Sequence, residues 1–354
     1  MFAPMKGTKT LIWMAAIAII MTGCEDKNKW KRVDVSKITA SVQTLRFEQD
    51  LHRIDSAKLS ESESALRAKY GSFYDDYVLG IMGFGAPASK LDTVHHDYHI
   101  DLLHFLDNKS DRDLYDSVQL KYKDVSDIEA GVTDAVKHFK YYFPDRRPVT
   151  KVYTFISEFA NGAITYGDTV IGIGLDMYLG EQYPYYESVG FPVFMKKKLK
   201  RDYIVPNAVE VLYNLHFDKT AYNAELPLIE GLINEGRKYY FMECMMPEAP
   251  DSLLIGYTAS QEEWCRASEK SIWQYFNEHD LLYKVNFMDQ KRYTTDGPTT
   301  AGMPAEAPAK VGSWVGWQIV RRFMKNSGGK VTLNDLLTKY SAKEIFAKAN
   351  YKPK

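Results

Sequence analysis

Pro206-Asn207-Ala208-Val209-Glu210-Val211-Leu212-Tyr213-Asn214 and, further along, Glu230-Gly231-Leu232-Ile233-Asn234-Glu235-Gly236-Arg237-Lys238-Tyr239-Tyr240-Phe241 are the two stretches on which the fold turns. Around the second, Leu228, Leu232, Glu235, Tyr239 and Met242 recur at helical spacing, which places Glu235 within an apolar stripe. A carboxylate on a core face needs a partner, because burying it unpaired is costly. In the first, Pro206 suits the opening turn of a helix, and Glu210 lines up with Asn207 and Asn214 on a polar stripe.

Upstream the period changes to two. Val152, Thr154 and Ile156 alternate with Tyr153, Phe155 and Ser157, and Ala163 to Tyr166 followed by Thr169 to Ile173 reads as a hairpin around Gly167-Asp168. Pro144-Asp145-Arg146-Arg147-Pro148 is the clearest break in the chain. Before it, Val42 to Phe143 is helical in pattern, with candidates opening at Leu59 and running over Asp113 to Tyr122 and Asp127 to Tyr142; Gly80, Gly83, Gly85 and Pro87 mark a loop. Downstream, helices are expected over Ser260 to His279 (Ser260 and Glu263 as a capping box), over Gly312 to Asn326, and in two short pieces after Thr332 and Ser341. Thr294 to Pro308 is a loop. The class is therefore α+β and mostly helical: a leader over 1–23, a tether over 24–37, a helical region over 38–145, and an α+β domain with a small sheet over 146–354.

A Glu-bearing helix behind a hairpin, followed by a helix with Glu-Gly and aromatics, resembles zinc metallopeptidases of the gluzincin type. In those, the first helix carries H-E-x-x-H and the second adds a Glu as third ligand. The resemblance implies a zincin-like C-terminal domain, but the first motif is absent. Aligned on Glu210, the ligand positions hold Val209 and Tyr213, and neither replaces a neutral imidazole. His216 falls on another helical face. A metal held by Glu235 and water alone would supply no low-pKa hydroxide. Val209, Glu210, Tyr213 and Glu235 thus read as a degenerate metal site, and no metal or cofactor is expected.

The N-terminus reads as an address. Lys6 and Lys9 precede the apolar run Leu11 to Met21, which ends in Met21-Thr22-Gly23-Cys24 and turns acidic at Glu25 and Asp26. The run is shorter than the about 20 residues that span a bilayer. Cys24 after Thr-Gly resembles a bacterial lipobox, which implies acylation of its thiol and a lasting membrane anchor. Cleavage there shortens the 354-residue chain to 331 and, by removing two lysines, moves its net charge from −1 to −3.

The mature chain balances its charges, so nucleic-acid binding by counterion release is excluded. Of three cysteines, Cys244 and Cys265 remain after lipidation; Cys265 shares a stripe with Ile272 and Phe276, which favours two buried free thiols over a disulfide. His95 and His99, with His96 and His104 nearby, have the spacing of a chelating pair, yet Leu91, Val94, Tyr98, Leu102 and Phe105 form the core stripe and leave His95, His96 and His99 to solvent. Lys196-Lys197-Lys198-Leu199-Lys200-Arg201 reads as a solvated helix face, or else as a patch for anionic lipid or an acidic partner. Tyr183-Pro184-Tyr185-Tyr186 and Trp314 to Trp317 read as core and loop packing, or else as a glycan platform. No P-loop, dinucleotide fingerprint or G-x-S-x-G motif occurs.

The lipobox, Val33-Asp34-Val35-Ser36 with Leu45-Arg46-Phe47-Glu48, Ile173-Gly174-Leu175-Asp176-Met177-Tyr178-Leu179-Gly180, Leu232-Ile233-Asn234-Glu235-Gly236, Ile255-Gly256-Tyr257-Thr258 with Glu263-Trp264-Cys265, and Gly312-Ser313-Trp314-Val315-Gly316-Trp317 together resemble the gliding-motility-associated lipoprotein GldB family of Bacteroidota. The resemblance spans nearly all of the mature chain. It implies a cell-envelope lipoprotein, held on the periplasmic face or the outer membrane, with protein partners in a motility or secretion apparatus. The reading that follows is a non-catalytic accessory with a degenerate metallopeptidase fold. A divergent zinc metallopeptidase and a surface glycan-binding lipoprotein are the alternatives.

Overall fold

The computed structural model describes residues 33–86, 97–217 and 226–353. The leader, Cys24 and most of the tether lie outside them, as do His95 and His96. Four strands, β1 Gln43–Arg46, β2 Lys151–Phe155, β3 Ala163–Tyr166 and β4 Val170–Gly174, form an open sheet in the order β1-β2-β4-β3. β1, β2 and β4 are parallel, and β3 runs antiparallel at the edge. The helices of eight residues or more are α1 Leu59–Tyr70, α2 Tyr98–Asp107, α3 Lys109–Lys121, α4 Ser126–Tyr142, α5 Ile204–Phe217, α6 Leu228–Met245, α7 Ala259–Ala267, α8 Glu269–Glu278, α9 Phe287–Thr294, α10 Val311–Asn326 and α11 Ala342–Ala349. None of the described helices is long and apolar enough to cross a membrane.

The hairpin forms as its sequence predicts, with Gly167 at φ +54° in the turn, where a side chain would be strained. The region before Pro144 is not purely helical, however. Its residues 43–46 supply β1, so both the sheet and the apolar core continue across the division at 145/146. The following Phe47 seals that junction, fully buried against the rings of Tyr70, Phe73 and Tyr77. Glu48, buried beside it, is neutralised by Arg46 at 2.5 Å and accepts from Thr154 of β2 at 2.6 Å. The outer edge of β1 is covered rather than left open: the amide of Thr44 donates to Glu129 of α4 at 2.7 Å.

Helices α6 and α10 cross backbone to backbone. A Cβ on Gly236 would lie 2.3 Å from the Gly316 carbonyl, and one on Gly316 only 1.7 Å from the Leu232 carbonyl oxygen. Only glycines permit this approach. Just beyond the crossing, Arg321 of α10 meets Glu243 of α6 at 3.0 Å and grips both oxygens of Asp251 at 2.6 and 2.7 Å, while the Trp317 indole donates to Glu243 at 3.0 Å.

The single helix expected over Ser260 to His279 is two. α7 and α8 meet at Ser268, and the capping box is formed by Thr258 and Gln261, two residues earlier than expected. Thr258 is free to take the role because Gly256, in the left-handed region at φ +77°, ends the turn Asp251–Ile255. Cys244 and Cys265 are buried and unbridged.

Candidate functional site

Helix α5 packs against the β3–β4 hairpin and against α6, and its first turn accommodates Pro206 as expected. The first turn of α6 is held by loop carbonyls: the amides of Leu228 and Ile229 donate to Lys284 and Leu282 at 3.0 and 2.9 Å. These fixings bring Glu210 and Glu235 to one cavity of about 210 Å³, also lined by Asn207, Lys238, Tyr239 and Lys310. The space between the two carboxylates is filled. Lys238 of α6 places its ammonium 2.9 Å from Glu210 and 3.0 Å from Glu235.

The other two positions of the degenerate metal site are not part of the cavity wall. Val209 is buried in the core, and Tyr213 packs its ring on Phe241 at 5.5 Å and on Phe217. His216 stacks on Phe139 at 5.0 Å, and burial pushes its imidazole below its ordinary range. A zinc ion does not fit this donor set: two carboxylates already share an ammonium, and among the described residues no imidazole reaches them. Among the described residues no three His, Cys, Asp or Glu side chains converge in a manner that would hold a metal.

Charge fixes the states of the cluster. Lys238 holds the Glu210 carboxyl below its ordinary value, against burial. Burial disfavours the Lys238 ammonium, yet Glu210 and Glu235 outweigh it and hold the group well above its usual range. On the other side of the cavity, Lys198 and Lys310 both meet the same oxygen of Asp296, at 2.6 and 2.8 Å. Burial works against Asp296, but the two ammonium groups keep it well below the carboxylate range. Burial and then Lys310 push Lys198 down to about 8. Lys310 caps α10 from the left-handed region at φ +61° and donates to the Ile255 carbonyl at 2.7 Å.

Lys238, Lys198, Asp296 and Lys310 were not singled out by the sequence as site residues. Lys238 had a legible signal, three residues past Glu235 on one helix. The rest depend on chain segments far apart in sequence. The basic run is not one solvated helix face: helix covers only Val193–Lys196, Lys198 turns into the cavity, and Lys200 bridges to Leu179. Lys196, Lys200 and Arg201 are themselves paired, with Glu187, Asp202 and Asp127.

His99 does not face solvent freely. Its ring sits between Asp97 at 2.6 Å and Glu63 at 3.2 Å, and Glu63 also accepts from Tyr74 and Tyr98, each at 2.7 Å. His104, on α2, is exposed. Trp314 and Trp317 are closed inside the core and Tyr186 is buried, while exposed Tyr185 meets the half-buried ring of Tyr183 at 5.6 Å, tilted rather than stacked.

The family model for the gliding motility protein GldB matches residues 27–353 of the chain. No curated protein and no solved structure matches it.

Proposed function

The chain belongs to the GldB family of gliding motility proteins, and from that premise we propose that it is a non-catalytic accessory of the motility and secretion machinery, anchored at Cys24 and built on a degenerate metallopeptidase fold. The observation that carries the reading is Lys238 between Glu210 and Glu235. A built-in ammonium stands between two carboxylates of which a gluzincin would use one to act on a zinc-bound water and the other to hold the zinc. The ammonium cannot lower the pKa of a water as a metal does. The zincin-like ancestry is supported by the layout: an antiparallel edge hairpin, a helix carrying Glu210 behind it, and the next helix presenting Glu235 to the same cavity.

Two measurements test the two halves of the proposal. Purified full-length protein is expected to carry no stoichiometric metal; one zinc per chain, lost on Glu235→Ala, overturns the non-catalytic reading. Deletion of the gene in a gliding host is expected to abolish colony spreading, restored by the wild-type chain but not by Cys24→Ser, which leaves the membrane fraction. Normal spreading, adhesion and secretion in the deletion strain overturn the motility role.

A further inference from the structure

The cavity between α5, α6 and the start of α10 has two ends of opposite surplus charge. At one end Glu210 and Glu235 share the single ammonium of Lys238, an excess of one negative charge. At the other, Lys198 and Lys310 share the single carboxylate of Asp296, an excess of one positive charge. The ring of Tyr239 is within reach of an ammonium from each end. Lys238 and Lys310 lie 5.2 and 5.8 Å from its centroid, so the two ammonium groups are within about 11 Å of each other.

Each end also retains capacity to bond. Glu210 and Glu235 each meet Lys238 through one oxygen, which leaves the second to accept from a ligand. Lys310 already bonds Asp296 and the Ile255 carbonyl, with the Tyr239 hydroxyl at 3.4 Å, but Lys198 spends one of its three N–H donors on Asp296. Glu210, Glu235 and Lys198 are partly open to solvent, and Lys198 sits where the cavity adjoins a second one of about 350 Å³, which offers an entrance.

We propose that this cavity binds a small zwitterion, a free α-amino acid or dipeptide, with its ammonium group on Glu210 and Glu235 and its carboxylate on Lys198 beside Lys310. The volume of about 210 Å³ is below the about 300 Å³ at which sites for larger ligands begin. At 3.3–3.6 Å per residue, the charges of a dipeptide stand about 7 Å apart, which suits two ends within reach of one tyrosine ring. A ligand with only one charge would leave the opposite end uncompensated in a partly buried site, so the layout discriminates by charge pair rather than by side chain. Lys198 is pushed down by burial first and by Lys310 second, and an anion set against it would offset the repulsion from Lys310.

The proposal does not depend on the non-catalytic reading. Its test is calorimetric titration of the full-length chain in detergent micelles with L-alanine, L-alanyl-L-alanine, N-acetyl-alanyl-alanine and alanyl-alanine amide. One of the two free zwitterions is expected to bind, the one that does so identifying amino acid or dipeptide. The acetylated and amidated forms are expected to bind at least tenfold more weakly. In Lys198→Met the penalty for the amide disappears while that for the acetyl form remains, and in Glu235→Gln the pattern reverses. Equal binding of blocked and free forms, or no binding of any of the four to the wild-type chain, overturns the proposal. Cleavage of the dipeptide during titration would overturn the non-catalytic reading and leave the ligand class standing.

Discussion

Replacing Gly316 by alanine tests the arrangement on which the cavity depends. Glu235 and Lys238 sit on α6 and Lys310 at the start of α10, so the spacing of those two helices at their crossing bears on the cavity. The added Cβ would lie 1.7 Å from the Leu232 carbonyl oxygen and 2.4 Å from its carbon. Backbone cannot swing aside as a flexible side chain does, so reaching ordinary contact near 3.4 Å requires the helices to part by more than an ångström. A gap of 0.5–1 Å already forfeits about a quarter to a half of the dispersion energy across an interface. Overpacking of this kind costs about 3 kcal/mol or more, and the better helix propensity of alanine returns about 1. The net loss is about 2–3 kcal/mol, a fall in Tm of roughly 3–5 °C for a domain of this size. Gly231→Ala, on the same helix α6, is the matched control. There the new Cβ meets the flexible Gln290 side chain at an ordinary 3.4 Å, so Tm is expected to hold or rise slightly. Thermal and urea unfolding followed by circular dichroism compare the two. Equal shifts for both variants would refute the argument that the crossing is closed by glycine.

Two further outcomes follow from buried charge. Arg321→Met removes the cation shared by Glu243 and Asp251, both at most 9% exposed, and is expected to cost about 3–5 kcal/mol in urea unfolding; a loss below 1 would show that these two ion pairs are dispensable. Asp176, fully buried, accepts from the amides of Ser157 and Phe159, yet burial outweighs these bonds and raises its carboxyl to about 7. The folded chain therefore keeps a proton that the unfolded chain releases near pH 4, so this group makes stability fall as pH rises from about 4 to about 7, and level off above. Asp176→Asn is expected to flatten that slope in a series of urea midpoints against pH; an unchanged slope would exclude Asp176 as its source.

What the sequence made legible is what short-range pattern controls. The hairpin, α5, α6 and α10 follow from periodicity and turn chemistry, and Glu210 and Glu235 do converge. β1 escaped because Gln43-Thr44-Leu45-Arg46 carries little strand signal of its own; it is a strand because β2 offers an unpaired edge across more than a hundred residues of chain. The break at Ser268 escaped because Cys265, Ile272 and Phe276 continue one apolar stripe through it, so the side-chain pattern hides a backbone discontinuity. Lys198, Asp296 and Lys310 escaped for a third reason. Each looks like a surface or loop charge locally, and only tertiary folding brings the three to one carboxylate oxygen. Of the two conspicuous clusters, His99 pairs with Asp97 and Glu63, while Lys196, Lys198, Lys200 and Arg201 pair with four different carboxylates.

The ammonium at the centre of the site makes a pH-dependent claim that a merely structural lysine would not. In the wild-type chain Lys238 depresses the Glu210 carboxyl, so the pair contributes stability that is present above the unfolded glutamate range, near pH 4.5, and is lost as pH falls through the lowered value. Lys238→Met keeps the stem that packs beside Tyr239 and removes the charge. Glu210 and Glu235 then face one cavity with no cation between them, and mutual repulsion raises the carboxyl of at least one. The wild-type contribution changes sign: the variant is penalised wherever both carboxylates must ionise. The stability difference between the two chains is therefore expected to shrink as pH falls through the lowered value of Glu210, where the wild-type pair is lost. It widens as pH rises and is greatest above pH 6, where it reaches about 1 kcal/mol, below the scale of a buried pair because Glu210 and Glu235 are 38% and 23% open to solvent. Urea unfolding at a series of pH values reads it directly. A difference that is the same at pH 4 and pH 7 would mean that Lys238 acts through its packing and not through its charge, and the argument that it stands in the place of a metal would fail with it.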